Sequence, residues 1–157
     1  MTQKILIFER ASGCSSEALL ILANFDEHHF PNPWNKDSWS KLFLTSSERL
    51  LLVSYENDDV TGLILFDYSV ADSFAHLLKI VTDPRKRKMR IGTTLMTEAL
   101  VNLKNKKITE IYLEVAEENL SAIRLYERFN FKVLHLKKHF YSNGANALIM
   151  NTNFIKV

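Results

Sequence analysis

The chain has 157 residues, 46% of them apolar and 24% charged, with a net charge of +2. These values suit one globular domain with a single sizeable core and exclude a disordered polyelectrolyte. So small a net charge gives no ground for binding nucleic acid over the whole surface, and any anion preference belongs to a local site.

Ile5–Phe8 reads as a short strand. Glu9 and Arg10 follow these four apolar residues, so the start of the chain reads as neither a signal peptide nor a membrane span. Cys14 is the single cysteine; it permits no internal disulfide and no cysteine-based metal site, and it suits a reducing cytoplasm. Ser15 or Ser16 is placed to cap a helix running to about Phe25, with Ala18, Leu19, Ile21, Leu22 and Phe25 as its apolar positions. His28-His29-Phe30-Pro31-Asn32-Pro33-Trp34 follows, and its prolines forbid helix and make a stiff exposed loop. Two adjacent histidines raise a metal reading, but no third ligand stands at a workable spacing, so no metal is expected. Phe30 and Trp34 either line a groove or cover the edge of the core. Lys36–Thr45 reads as a short helix with Trp39, Leu42 and Phe43 inward.

Leu50–Tyr55 and Val60–Tyr68 are strands joined by the turn Glu56–Asp59, and Asp72-Ser73 turns the chain into a third strand, Phe74–Val81. Short turns between successive strands predict an antiparallel meander. Asp83-Pro84 ends the third strand, because proline cannot donate to a ladder. Five of the next six residues are basic: Arg85, Lys86, Arg87, Lys88 and Arg90. Ile91, Leu95, Met96, Ala99, Leu100 and Leu103 then recur at helical spacing, with Lys104–Lys107 near the C-terminus, where cations suit the dipole. Thr109–Val115 is a strand. A strand, a helix and another strand form the crossover that joins parallel neighbours, so the strands ending at Val81 and Val115 are expected to be adjacent and parallel. Asn119 caps a helix to about Phe129, with Ala122, Ile123, Tyr126 and Phe129 on one stripe, and Asn130 suits a left-handed handover. Phe131–Tyr141 is a long strand, Asn143-Gly144 a hairpin signal, and Ala145–Asn151 the return. The tail Thr152–Val157 carries no signal. With 4 Gly and 3 Pro, and no repeat or linker, residues 1–157 are expected to form one domain.

Three features carry chemistry. The basic turn precedes a helix N-terminus, whose unpaired amides and dipole favour a phosphate or pyrophosphate; a solvated basic loop that only caps the helix is the competing reading. Glu114 ends a mostly apolar strand, where burial would raise its pKa and suit it to accept a proton near neutrality; otherwise it lies on the polar face of an edge strand. Tyr126 is either a core tyrosine or a phenol able to donate a proton to a leaving thiolate. Together they would converge at the ends of two parallel strands, where open α/β sheets bind ligands.

With these residues in hand, the chain resembles the GCN5-related N-acetyltransferase (GNAT) family over nearly its whole length. That family's phosphate turn reads Arg/Gln-x-x-Gly-x-Gly/Ala, and here it is Arg87-Lys88-Met89-Arg90-Ile91-Gly92. Leu113-Glu114-Val115, Asn119, Ala122, Leu125-Tyr126-Glu127 and Phe131 resemble the RimI-type branch, which acetylates the N-terminal alanine of ribosomal protein eighteen of the small subunit. Phe30–Trp34, and Tyr141 with Gly144-Ala145-Asn146-Ala147 and Met150, fit the same branch. The resemblance implies an α/β (α+β) fold: a mixed, mostly antiparallel sheet of about seven strands, splayed between the fourth and fifth, with helices on both faces. It also implies direct acetyl transfer from acetyl-coenzyme A to a protein α-amine in the cytoplasm. Arg87, Lys88, Met89, Arg90, Ile91, Gly92 and Thr93 would hold the pyrophosphate. Ile80, Val81 and Thr82 would pair with the pantetheine arm and polarise the thioester carbonyl, and Asn119 would hold the arm from the other side. Glu114 would take the ammonium proton, directly or through water, and Tyr126 would protonate the thiolate. Phe30, Trp34 and Tyr141 would flank the peptide groove. The resemblance implies no contact with nucleic acid or membrane, and a monomer or weak dimer.

Two positions depart from the pattern. Arg90 replaces a glycine that lets backbone approach phosphate without a Cβ; because the amides from Ile91 onward are unaffected, binding is expected to survive. Asn146 stands where the branch more often has an acid able to hold a positively charged peptide start. Two alternatives stay open: a small amine or a lysine side chain as acceptor, or a degenerate acetyl-coenzyme A-binding regulatory module.

Overall fold

The runs Leu50–Val53 and Leu63–Phe66 are apolar at every position, which only a strand covered on both faces requires. A computed structural model describes residues 3–10 and 13–154 and places both runs at the centre of one sheet. In chain order the elements are β1 (Gln3–Phe8), α1 (Ser16–His29), α2 (Lys36–Ser40), β2 (Glu48–Glu56), β3 (Asp59–Ser69), β4 (Phe74–Thr82), α3 (Ile91–Asn105), β5 (Glu110–Ala116), α4 (Leu120–Arg128), β6 (Lys132–Lys137) and β7 (Ala147–Asn153). The seven strands lie in the order β1-β2-β3-β4-β5-β7-β6. All neighbours are antiparallel except β4 and β5, as the crossover rule predicts.

Alternate residues of the central strands feed two cores. Leu50, Leu52, Ile64, Phe66, Ala75 and Leu77 pack with Ile91, Leu95, Met96, Ala99 and Leu103 of α3 and Tyr126 of α4. Leu51, Val53, Leu63, Leu65 and Val81 pack with Leu19, Leu22, Ala23 and Phe25 of α1 and with Trp39 and Leu42. Each fully buried large side chain contributes roughly 2 kcal/mol of transfer free energy, so both faces are covered.

β4 and β5 pair only from Phe74/Glu110 to Leu77/Leu113. Beyond that, β4 continues on β3 and β5 on β7, and their facing edges part. The cause is one extra residue. Leu65 opposes Lys79 and Phe66 opposes Leu77, so Leu78 has no partner in the β3–β4 ladder. Such a bulge bends its strand and increases the twist, and the two strands separate where it occurs.

Several element boundaries differ from the sequence reading. α1 runs past Phe25 to His29: His28 and His29 suit a helix C-terminus, and the proline restriction begins only at Phe30, which is extended at φ −109° and ψ 134°. Ile21 is exposed. α2 stops at Ser40 and gives way to turns, although Leu42 remains fully buried. β6 ends at Lys137, short of Tyr141, and His139 in the following connection is left-handed at φ 51°. Asn143-Gly144 does turn the chain, with the Gly144 amide donating to the Tyr141 carbonyl at 2.9 Å, but within a longer connection spanning 138–146. β5 is interior, which excludes the edge-strand reading of Glu114. β7 extends into the uninformative tail, of which 155–157 lie outside the described residues.

Gly62, inside β3, sets how closely α3 lies on the sheet. A Cβ there would stand 2.7 Å from the Ile91 Cγ2 and 3.1 Å from both the Leu95 Cδ1 and the Val81 carbonyl. Gly62→Ala is therefore expected to destabilise the fold by about 1–3 kcal/mol, the usual cost of overpacking, as measured by chemical denaturation.

Candidate active site

The basic turn divides into two parts. Asp83 is buried; its carboxylate accepts from the Arg85 amide at 2.9 Å and from the Arg85 guanidinium at 2.7 Å. The guanidinium hydrogen bond outweighs the desolvation that opposes it and lowers the Asp83 pKa from 3.8 to about 2. The Lys86 ammonium pairs with the Glu56 carboxylate. Arg85 and Lys86 are thus committed to the fold. Arg87, Lys88 and Arg90 are exposed and, among the described residues, form no ion pair.

Lys88 and Arg90 are both left-handed, at φ 66° and 59°. The motif expects glycine at position 90 because the backbone there enters the left-handed region, and Arg90 adopts that conformation at a strain of roughly 1–2 kcal/mol. Arg90 is the N-cap of α3 and makes no side-chain cap bond, so the first amides of the helix have no capping side chain and form a concavity suited to an anion.

Gly92 tests whether these residues fit a ligand. A Cβ built on it would lie 3.5 Å from Leu125, 3.8 Å from Ile80 and 3.8 Å from Thr82, all ordinary contacts. The protein's own packing thus leaves room for a side chain here, in the mouth between β4 and α4. Close approach of a ligand explains the glycine where packing does not. Across the same mouth, the Arg128 guanidinium of α4 donates to the Thr93 hydroxyl at 3.3 Å, a cation the sequence reading did not single out. Asn119 caps α4, its side-chain oxygen accepting from the Ala122 amide and the Ser121 hydroxyl at 3.2 Å each. Ile80, Val81 and Thr82 pair with β3 on one edge, and their other edge faces the split.

Glu114 lies on the far side of that split. Its Oε2 is 2.6 Å from the His76 Nε2, and the Tyr112 hydroxyl is 3.1 Å from the His76 Nδ1. One tautomer serves both contacts: Nε2–H donates to the carboxylate while Nδ1 accepts the phenolic proton. His76 and Tyr112 are direct ladder partners and their rings stack at 4.1 Å. Strand alternation puts His76, Tyr112 and Glu114 on the face opposite Ala75, Leu77 and Leu113, the side of α1. The sequence reading missed His76, whose contact depends on the parallel register.

Tyr126 comes from the α3–α4 side and is buried. Burial chiefly, with Tyr141 adding to it, pushes its phenol well above the ordinary value. Tyr141 is raised in turn by burial and then by the Glu114 charge. Glu114 and Tyr126 thus come from opposite faces of the sheet.

Phe30 and Trp34 are half-buried in the α1–α2 loop. Asn146 accepts from the His139 amide at 3.0 Å and donates to Glu117 at 2.8 Å, which ties the 138–146 connection to the end of β5. His28 bonds the Asn24 carbonyl, and His29 packs edge-on to Phe25. Clefts of about 410 and 530 Å3 lie elsewhere, neither lined by Glu114 or Tyr126.

Residues 18–131 match the model of the acetyltransferase (GNAT) family, and the chain belongs to that family. Its split sheet is the GNAT fold. An N-alpha-acetyltransferase of Sulfolobus acidocaldarius is 38% identical over 76 residues, 48% of this chain and 45% of that protein; the chain thus spans a little under half the length of this relative. The [ribosomal protein bS18]-alanine N-acetyltransferase of Salmonella typhimurium is 27% identical over 121 residues, 75% of this chain and 79% of that one. The crystal structure of the ribosomal-protein-S18-alanine N-acetyltransferase from Escherichia coli superposes with a TM-score of 0.82 at 18% identity, covering 98% of this chain and 96% of that one. Among the described residues no helix is long and apolar enough to cross a membrane.

Two expectations follow. Gly92→Ala should leave the melting temperature unchanged or slightly raised, since alanine favours helix over glycine by about 1 kcal/mol, while weakening acetyl-coenzyme A binding in calorimetry. Asp83 has a folded pKa below its ordinary value, so its contribution to stability is complete above pH ~4 and is lost as pH falls towards about 2. Asp83→Asn should flatten the melting temperature in that acid range relative to wild type.

Proposed function

We propose that the protein transfers the acetyl group of acetyl-coenzyme A to the α-amine of a protein N-terminus, with the alanine start of ribosomal protein bS18 as the first substrate to test. The observation that carries this reading is Glu114, held by His76, across a split bordered by the unpaired edge of β4. Similarity to the Salmonella typhimurium enzyme and to the archaeal N-alpha-acetyltransferase supports the acceptor class. Action on cytoplasmic ribosomal protein follows from the same similarity.

Acetyl-coenzyme A supplies an acetyl group already activated as a thioester. Arg87 to Thr93 hold its pyrophosphate through helix amides and the free cations Arg87, Lys88 and Arg90. The open edge from Ile80 to Thr82 pairs with the pantetheine arm and donates an amide to the carbonyl oxygen, where negative charge develops. Asn119 donates to the arm from α4. Phe30, Trp34 and Tyr141 flank the incoming peptide. Glu114 accepts a proton from the acceptor ammonium, and the freed lone pair forms the C–N bond as the C–S bond breaks. The Tyr126 hydroxyl gives its proton to the departing sulfur, and the second proton of the acylated nitrogen returns to the phenolate as the neutral amide forms. Its raised pKa keeps the phenol protonated at physiological pH, the state a donor needs. The His76 N–H steadies the Glu114 carboxylate from β4. Positioning of both partners supplies much of the acceleration.

Glu114→Gln should lower kcat by roughly 10²-fold or more and make the residual rate climb steeply with pH, because only amine that is already neutral then reacts. Tyr126→Phe should slow transfer with acetyl-coenzyme A affinity intact. Wild-type rates in both variants would overturn these roles. A peptide panel scored for α- against ε-acetylation tests the acceptor: an untouched alanine-starting bS18 peptide beside an acetylated lysine or polyamine would reassign it. Absence of acetyl-coenzyme A binding at millimolar concentration would rule out catalysis.

A further inference from the structure

Lys79 is the one lysine of β4, and its position depends on the bulge. Leu77 faces the α3 core, and in a regular strand Lys79, two residues on, would face it too. The unpaired Leu78 shifts the alternation by one, so Lys79 lies opposite Leu65 on the α1 face. There its side chain is 1% exposed and its ammonium is 3.1 Å from the Asp26 Oδ1 of α1, whose side chain is fully buried. It also donates to the Asn32 carbonyl at 3.3 Å and lies 3.9 Å from the centre of the Phe30 ring and 5.3 Å from that of Trp34. The second Asp26 oxygen accepts from the Trp34 amide at 2.9 Å and from the Trp39 indole at 3.0 Å. Arg49 also lies over the Trp34 ring, at 5.8 Å from its centre. The Phe30 and Trp34 rings, the Asn32 carbonyl and the Trp34 amide thus share a single buried ion pair, and the lysine of that pair is the residue before Ile80.

We infer that Lys79 and Asp26 are positioning residues for the acceptor: the buried pair holds the Phe30–Trp34 wall in fixed register with the strand edge that receives the thioester. A buried pair is a poor device for stability, since apolar residues of similar size often do as well. It is a good device for geometry, because one ammonium can bind a carboxylate, a carbonyl and an aromatic face at the same time. Both prolines stiffen the loop, and the pair fixes where the stiff loop sits. The inference rests on reading 30–34 as the acceptor wall.

The test compares wild type, Lys79→Met and the double variant Lys79→Met/Asp26→Asn. The single variant leaves Asp26 as an unpaired buried charge and should melt at lower temperature. The double variant removes both charges, keeps an amide oxygen for Trp34 and Trp39, and should recover most of the melting temperature. Its acceptor KM should nevertheless stay raised by about tenfold or more, while acetyl-coenzyme A affinity in calorimetry holds and kcat changes less than KM. Trp34 and Trp39 are the only tryptophans, so increased acrylamide quenching of their fluorescence in the double variant would report the freed loop without any assay of activity. Recovery of melting temperature, quenching and acceptor KM together would reduce the pair to a stabilising contact and overturn the inference. An equal loss of acetyl-coenzyme A affinity would do the same by showing general distortion. If wild type acetylates no N-terminal peptide, the acceptor class proposed above fails; quenching, with KM for the amine that is turned over, then decides the role of Lys79 separately.

Discussion

Much of the molecule depends on one unpaired residue. Leu78 interrupts the β3–β4 ladder, and three consequences follow from that interruption. β4 bends away from β5, which opens the sheet. The backbone from Leu78 to Thr82 keeps an edge that no strand occupies, so its amides and carbonyls can bind an extended ligand arm. The side-chain alternation shifts by one, which takes Lys79 from the helix α3 core and sets it against Asp26. A groove, a surface to line it and a fixed wall beside it share this one cause.

The phosphate end of the groove depends on clearance and on charge separation. Gly62 lets Ile91 sit on the sheet, which puts the N-terminus of α3 at the mouth of the split. Arg85 and Lys86 are held by Asp83 and Glu56, so the turn is braced by some of its cations while others stay free. Arg90 takes a left-handed backbone that glycine would adopt without strain, and so keeps the geometry of the motif while adding charge.

The two residues proposed as base and acid belong to opposite faces of the sheet. Glu114, His76 and Tyr112 lie on the face of α1, and Tyr126 lies on the α3–α4 side. The carboxylate is within hydrogen-bond reach of a histidine, and the phenol is buried in the core, which favours its protonated form.

The sequence alone determined the elements and their order, because apolar spacing within a few turns is a local property. It determined the caps at Ser15 and Asn119 and the left-handed Asn130, which depend on backbone chemistry within a few residues. It also determined the parallel pairing of β4 and β5, which handedness leaves little freedom to avoid. Glu114 and Tyr126 could be singled out from strand end and helix stripe, although their roles came from family resemblance. Only the tertiary structure decided the bulge, the clearance over Gly62, the division of the basic turn into braced and free cations, and the partners of the buried charges. His76 meets Glu114 across 38 residues and Lys79 meets Asp26 across 53. Such pairs are set by strand register and by the cost of burying a charge without a partner, neither of which leaves a periodic trace in the chain.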